Sequence, residues 1–270
     1  MIMKQPKVSI IMGIYNCEQT LQHCFESLLQ QTFTDWQLIM CEDGSQDNTY
    51  EIAKQIQKRH PEKVVLLRNQ NNLGLNETLN RCLAVATGEY IARQDADDLS
   101  LSERLRLEVD FLDSHPEYAL VSGRKDHFDE EGIWGNLGDV EKPTMKDIFF
   151  GPPFCHPSCM MRASALRQVD GYSIDRRLLR VEDYHLWYKF YRSGFNGYNL
   201  QQTIYLYADA RNDYSKRNWQ NRLNEMRLKH LIIREVHLPW YYYVFALRPI
   251  IVGLLPMPIY HHLHRRRLQN

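Results

Sequence analysis

In the first 122 residues of this chain, short apolar runs alternate with stretches whose apolar residues recur every three or four positions, and that alternation leaves few folds open. Residues 8–12 form an apolar run ended by Gly13, the pattern of a strand buried on both faces of a parallel sheet. Leu21, Phe25, Leu28 and Leu29 then recur at helical spacing, with Asn16 and Gln19 as a capping box at the start. Further strands are expected at residues 36–41, 64–67, 90–94 and 118–122. Helices fall between them at 49–59, at 75–86 with Gly88 as a left-handed stop, and at 105–112. Strands that alternate with helices of this length form βαβ units. The expected fold is therefore α/β, with a mainly parallel central sheet flanked by helices.

Sheets of this kind bind ligands outside the carboxyl ends of their strands, where the strand order reverses. Three separate segments fall at that edge: Tyr15 and Asn16 after the first strand, Asp43 in the turn after the second, and Asp95, Asp97 and Asp98 after the fourth. Carboxylates crowded into one turn repel one another and raise their own pKa values unless a cation or a set of donors compensates. The cluster thus reads as a site for a hard cation, Mg²⁺ or Mn²⁺, shared with substrate phosphates. The competing reading is a strand end followed by polar residues that open the helix near Ser100 or Ser102. None of these turns carries a glycine-rich phosphate loop, which argues against a dinucleotide fold and a P-loop enzyme.

Lys plus Arg equals Asp plus Glu, and a net charge of zero argues against general nucleic-acid binding. The start of the chain has no apolar core of signal-peptide length, so a cytoplasmic location is expected. The six cysteines form no CxxC pair and read as reduced, buried small hydrophobes. Cys155, His156 and Cys159 suggest half a zinc site, but no fourth ligand stands at a recognisable spacing.

The second half is less regular. Residues 126–143 are polar and rich in Gly and acids, and read as a flexible excursion. Helix signals return at 163–169 and again behind Glu182 and Asp183, where Leu186, Trp187 and Phe190 face inward and Gly194 closes the helix. Leu223, Met226, His230 and Ile233 suggest an amphipathic helix ended by Pro239. Residues 240–260 are largely apolar and approach the ~20 residues that span a bilayer. Arg248, Pro249, Pro256 and Pro258 count against a simple span. The aromatic cluster at 240–243 and Arg265 to Arg267 fit a segment lying in the membrane interface, peripheral on the inner face.

Taken together, these motifs resemble the inverting family 2 glycosyltransferases with the GT-A nucleotide-sugar-binding fold, over residues 8–217. Five segments in order carry the resemblance: residues 8–16, 42–47, 72–90, the cluster at 95–98, and Glu182 with Asp183 ahead of Trp187. It implies a GT-A domain at 1–217, with a nucleotide-binding half at 1–122 and an acceptor-binding half at 123–217. Residues 218–270 would form a helical, membrane-associated extension.

Carried over by position, the resemblance places Tyr15 against the nucleobase and has Asp43 accept the imide NH of uracil or thymine. Asn80 falls beside the nucleotide, Asp95 near the ribose, and Asp97 or Asp98 at the metal. Asp183 matches the catalytic base and Glu182 its support. His156 matches a His that faces the active site. Where many relatives carry a late-loop His, this chain has none, and Arg211, Lys216 or Arg217 stand as candidates for the diphosphate. Without the resemblance, Asp43 reads equally as a turn residue, Asn80 as helix surface, His156 as a core histidine, and the Glu182–Asp183 pair as acids at the positive end of a helix.

The implied activity is metal-dependent, inverting transfer from a UDP- or dTDP-sugar to a glycan or lipid-linked acceptor in surface polysaccharide assembly. A nucleotidyltransferase would need a basic, Gly-rich triphosphate loop, which residues 13–16 do not offer. A non-catalytic membrane-associated scaffold would not need the acidic cluster together with Glu182 and Asp183.

Overall fold

The computed structural model describes residues 5–137, 140–209 and 219–254. Its central strands are β1 (Val8–Ile14), β2 (Trp36–Glu42), β3 (Val64–Arg68) and β4 (Tyr90–Arg93), arranged β3-β2-β1-β4 and all parallel. The intervening helices are α1 (Leu21–Leu29), α2 (Thr49–Arg59) and α3 (Leu75–Val85). Alternate side chains of β1 feed the two faces. Val8, Ile10 and Met12 pack with Phe25 of α1 and Ala53 and Ile56 of α2, while Ile11 packs with Leu79 and Cys82 of α3. Burial on both faces is why this strand reads as an apolar run, interrupted by Ser9 alone, in place of an alternation.

Two helix-end expectations are corrected. α1 has Thr20 at its N-cap with no side-chain cap bond, and Asn16 sits instead in the left-handed region at φ 48°. Its Oδ1 accepts from Gln46 N at 2.9 Å and its own N–H donates to Ser45 Oγ at 3.1 Å, so it stitches the loop after β1 to the loop after β2. Gly88 does not have positive φ. A Cβ there would lie 2.5 Å from the Ser9 backbone nitrogen, so the requirement is close approach to β1.

Beyond β4 the sheet becomes mixed. β5 (Leu99–Ser100), β6 (Tyr118–Asp129), β7 (Gly132–Leu137), β8 (Met160–Arg162) and β9 (Asn196–Ala208) complete it, with the order continuing β4-β8-β6-β9-β5. β8 is antiparallel to β4 and β6, β9 runs parallel to β6, and β5 pairs antiparallel to β9. The stretch read as a flexible excursion is largely the end of β6 and all of β7, an antiparallel hairpin. Its glycines and acids are those of a two-sided, solvated hairpin, a composition shared with loops.

α4 (Arg104–Ser114) lies on the α1 and α2 side of the sheet, and its Leu105, Val109 and Leu112 share their apolar cluster. α5 (Met145–Phe150), α6 (Ala163–Gln168) and α7 (Glu182–Arg192) lie on the α3 side. α8 (Trp219–Val236) packs there too, through Leu228, Ile232 and Ile233. Of the expected stripe Leu223, Met226, His230 and Ile233, only Ile233 is fully buried. The buried face instead includes Asn224, which donates to Leu179 O, and Lys229, whose Nζ donates to Phe149 O and Phe150 O. The short helices α9 (Tyr242–Ala246) and α10 (Arg248–Leu254) follow. No described helix is long and apolar enough to cross a membrane.

Candidate active site

The carboxyl ends of β1, β2 and β4 meet at one edge, and backbone bonds hold their loops in register. Asp43 N donates to Ile14 O at 3.0 Å, and Gln94 N to Ile11 O at 3.2 Å. A cleft of about 530 Å³ opens there, lined by Tyr15, Asn16, Asp47, Asp95 and Asp97 among others. Tyr15 is exposed, as its expected place against a ligand ring requires.

The acidic loop rests on a buried polar scaffold that hydropathy does not reveal. Gln94 Nε2 donates to Asp95 O at 3.0 Å and Asp98 O at 3.2 Å, while its Oε1 accepts from Ser100 Oγ at 2.7 Å and Arg104 Nη1 at 2.9 Å. Arg104 also donates to Arg93 O at 2.7 Å and pairs with Glu108 at 3.2 Å, with all three side chains fully buried. Burial pushes the Glu108 carboxyl up to about 8 although Arg104 pulls it down. Beneath the loop, the buried Arg93 guanidinium pairs with Asp95 Oδ1 at 2.5 Å. Donors and a cation thus compensate the crowded carboxylates from inside the protein.

The three acids therefore diverge. Asp95 is half-buried and Asp97 exposed, both lining the cleft. Asp98 is only 1% exposed and turned inward, where its Oδ1 accepts from Ala208 N at 2.7 Å and ties the loop to the end of β9. Burial and the charges of Asp95 and Asp97 push its carboxyl well above the usual carboxylate range. Asp98 faces the protein interior with Oδ1 spent on Ala208 N and does not line the cleft, and the expectation for Asp98 as a metal contact is corrected accordingly. Among the described residues no group of three or more His, Cys, Asp or Glu is arranged to hold a metal. Mg²⁺ takes one or two carboxylates from a protein when substrate phosphates complete its shell, and the exposed Asp97 with Asp95 beside it in the cleft fits that donor set.

Three other expected ligand contacts are committed to the protein itself. Asp43 is 4% exposed; it accepts from Asn69 Nδ2 at 2.6 Å, Leu73 N at 2.8 Å and Gly74 N at 2.9 Å. Three donors take most of the carboxylate's roughly four acceptor positions and make it the anchor of the loop after β3. Asn80 donates to Tyr172 O at 2.7 Å and accepts from Tyr172 N at 2.9 Å, so both ends of its amide clamp the loop after α6. His156 is buried, with Nε2 2.9 Å from the Tyr172 hydroxyl, and burial with the Arg93 charge holds it well below the usual imidazole range. It is a neutral support for Tyr172, and the reading of it as a site-facing group is corrected. Arg211, Lys216 and Arg217 lie outside the described residues.

Asp183 stands in the first turn of α7, half-buried, accepting from Tyr184 N at 2.7 Å. Burial, with the neighbouring Glu182 charge, pushes its carboxyl up to about 6. Asp183 lines a second cleft of about 760 Å³ that runs to Arg222 and Arg248. A groove of about 940 Å³ lies between α3 and α6; it is lined by Asn80 but not by Asp95, Asp97 or Asp183.

Comparison with known proteins places this geometry in a family. The chain is 41% identical over 267 residues to the glycosyltransferase EpsE of Bacillus subtilis (strain 168), covering 98% of this chain and 95% of that one. It is 27% identical over 180 residues to the UDP-Glc:alpha-D-GlcNAc-diphosphoundecaprenol beta-1,3-glucosyltransferase WfgD of Escherichia coli, covering 67% and 68%. Its fold matches S. aureus TarS 1-349 in complex with UDP-GlcNAc at a TM-score of 0.68 and 19% identity, over 92% of this chain and 71% of that one. That likeness shows the GT-A fold expected from the motif order. Residues 9–170 match the model of glycosyl transferase family 2, and this chain is a glycosyltransferase belonging to that family.

Proposed function

We propose that the protein transfers a sugar, with inversion, from a UDP- or dTDP-sugar to a glycan or lipid-linked acceptor in surface polysaccharide assembly. The reading is supported by a half-buried carboxyl raised to about 6, Asp183 in the first turn of α7, together with Asp95 and Asp97 in the cleft at the strand ends. Tyr15 packs against the nucleobase, Asp95 contacts the ribose, and Asp97 is the protein's contact to Mg²⁺ or Mn²⁺. When bound, that ion neutralises charge on the departing diphosphate.

The protein's own step is proton removal. Asp183 takes the proton from an acceptor hydroxyl as its oxygen bonds to the anomeric carbon and the bond from that carbon to the diphosphate oxygen breaks. One displacement inverts the configuration, as in inverting glycosidases with a sugar hydroxyl in place of water. A base near 6 is ionised at neutral pH yet still basic enough to accept the proton. Glu182 contributes by holding that value up with its charge. Residues 218–270 serve as the acceptor- and membrane-facing extension. WfgD, by its name a glucosyltransferase acting on a diphosphoundecaprenol-linked sugar, supports the acceptor class.

The test is a pair of variants. Asp183→Asn should abolish transfer and leave Mn²⁺-dependent UDP binding in place, whereas Asp97→Ala should lose that binding. Full transfer by Asp183→Asn removes the base, and unchanged UDP affinity in Asp97→Ala removes the metal contact.

A further inference from the structure

The cleft that Asp183 opens into is closed on its far side by the C-terminal helices. Arg180, Arg222 and Arg248 all line it, with Asp147 and Glu225 as its other acids. Both of those acids are engaged: Asp147 accepts from Thr144 N at 2.8 Å and Thr144 Oγ1 at 2.6 Å, and Glu225 lies 3.5 Å from Lys229 Nζ. Arg222 spends one N–H on Pro249 O at 2.9 Å, tethering α8 to α10. Among the described residues neither Arg180 nor Arg248 has a carboxylate partner, and both are exposed. Arg180, three residues before Asp183, is held in the left-handed region at φ 63°, an uncommon state for a residue with a Cβ.

Three guanidinium groups around a cleft of about 760 Å³ match phosphate oxygens in charge and in forked donor geometry. An apolar surface begins at the same cleft. Phe150, Pro249 and Val252 line it, and the Phe150 ring lies 5.7 Å from that of Phe245. From there Val244, Phe245, Leu247, Ile251 and Leu254 are exposed along α9 and α10. A charged cleft running into an exposed apolar face suits a ligand with an anionic head and a hydrocarbon tail.

We infer that Arg180, Arg222 and Arg248 bind the diphosphate of a lipid-linked saccharide acceptor, whose hydroxyl is presented to Asp183 and whose hydrocarbon chain runs over α9 and α10. The inference rests on Asp183 as the base of the proposed transfer. Lipid and water-soluble phosphate sources share the head chemistry and differ in the apolar contact.

Calorimetry of the full chain with farnesyl diphosphate, inorganic pyrophosphate and farnesol, all in chelator, separates these sources and keeps metal-dependent nucleotide binding out of the signal. Farnesyl diphosphate should bind, pyrophosphate at least about tenfold more weakly, and farnesol not saturably. Arg180→Gln and Arg248→Gln should each weaken farnesyl diphosphate by about ten- to a hundredfold, the loss of a charged hydrogen bond. In the same variants, Mn²⁺-dependent UDP binding should match the unaltered chain, which also shows that they fold. Unchanged farnesyl diphosphate affinity in both variants overturns the assignment. Equal affinity for pyrophosphate and farnesyl diphosphate overturns the lipid. Failure of the unaltered chain to bind UDP counts against the donor site, while the farnesyl diphosphate arm still decides the arginines.

Discussion

Asp98 separates a metal-ligand role from a structural one within a single acidic turn. Its carboxyl is buried, raised well above the usual range, and bonded through Oδ1 to Ala208 N at 2.7 Å. An amide is nearly isosteric with a carboxyl, so Asp98→Asn keeps the acceptor for Ala208 and should change stability by less than about 1 kcal/mol. Asp98→Ala removes that acceptor and loosens the tie between the acidic loop and β9. A partly buried N–H without its partner costs about 1–2 kcal/mol, or about 2–8 °C of melting temperature for a chain of this size. Scanning calorimetry reads the stability, and Mn²⁺-dependent UDP binding reads the site. Asp98→Asn should bind UDP within about threefold of the unaltered chain, whereas Asp97→Asn loses binding by about a hundredfold or more. Equal losses in the two variants would mean that Asp98 turns outward to the ion, and the reasoning from its burial would be refuted.

The pH dependence of transfer follows from Asp183. With its carboxyl at about 6, transfer per unit enzyme at limiting substrate should fall about tenfold per pH unit below that value and level off above it; a flat profile from pH 5 to 7 removes Asp183 as base. Because its folded value is raised from 3.8, its contribution to stability is full below the unfolded value and is lost as pH rises through about 6. Asp183→Asn should therefore melt no lower than the unaltered chain at pH 7, and a lower melting point would show that the ionised acid stabilises the fold. Gln94→Leu strands two loop carbonyls and takes one acceptor from the buried Arg104 guanidinium. It should cost about 3–5 kcal/mol and abolish UDP binding, measured by denaturant unfolding and calorimetry; a loss under about 1 kcal/mol would show that the scaffold is dispensable.

The parallel half of the fold was legible because its strands are buried on both faces and its helices carry regular apolar spacing; α2 lies at the expected residues 49–59. The edge that gathers Tyr15, Asp95 and Asp97 follows from topology alone. What could not be read was the direction in which adjacent polar groups turn. Asp97 and Asp98 are identical neighbours, and only the arrival of Ala208 from β9, 110 positions later, draws one inward. Asp43 and Asn80 are likewise taken up by backbone groups of loops distant in sequence. The buried face of α8 escaped hydropathy because Asn224 and Lys229 are satisfied by carbonyls of residues 149, 150 and 179. Gln94 and Arg104 offered one signal in retrospect, polar residues at the end of a strand and the start of a helix whose neighbours are apolar.

The central claim is a metal-assisted nucleotide site at the β1–β4 edge. Calorimetric titration of the full chain with UDP, dTDP and GDP, each with Mn²⁺ and with chelator, tests it most directly. Saturable binding of UDP or dTDP that needs Mn²⁺ is expected, with GDP at least about tenfold weaker. Absence of binding by all three, or UDP binding indifferent to Mn²⁺, would contradict it.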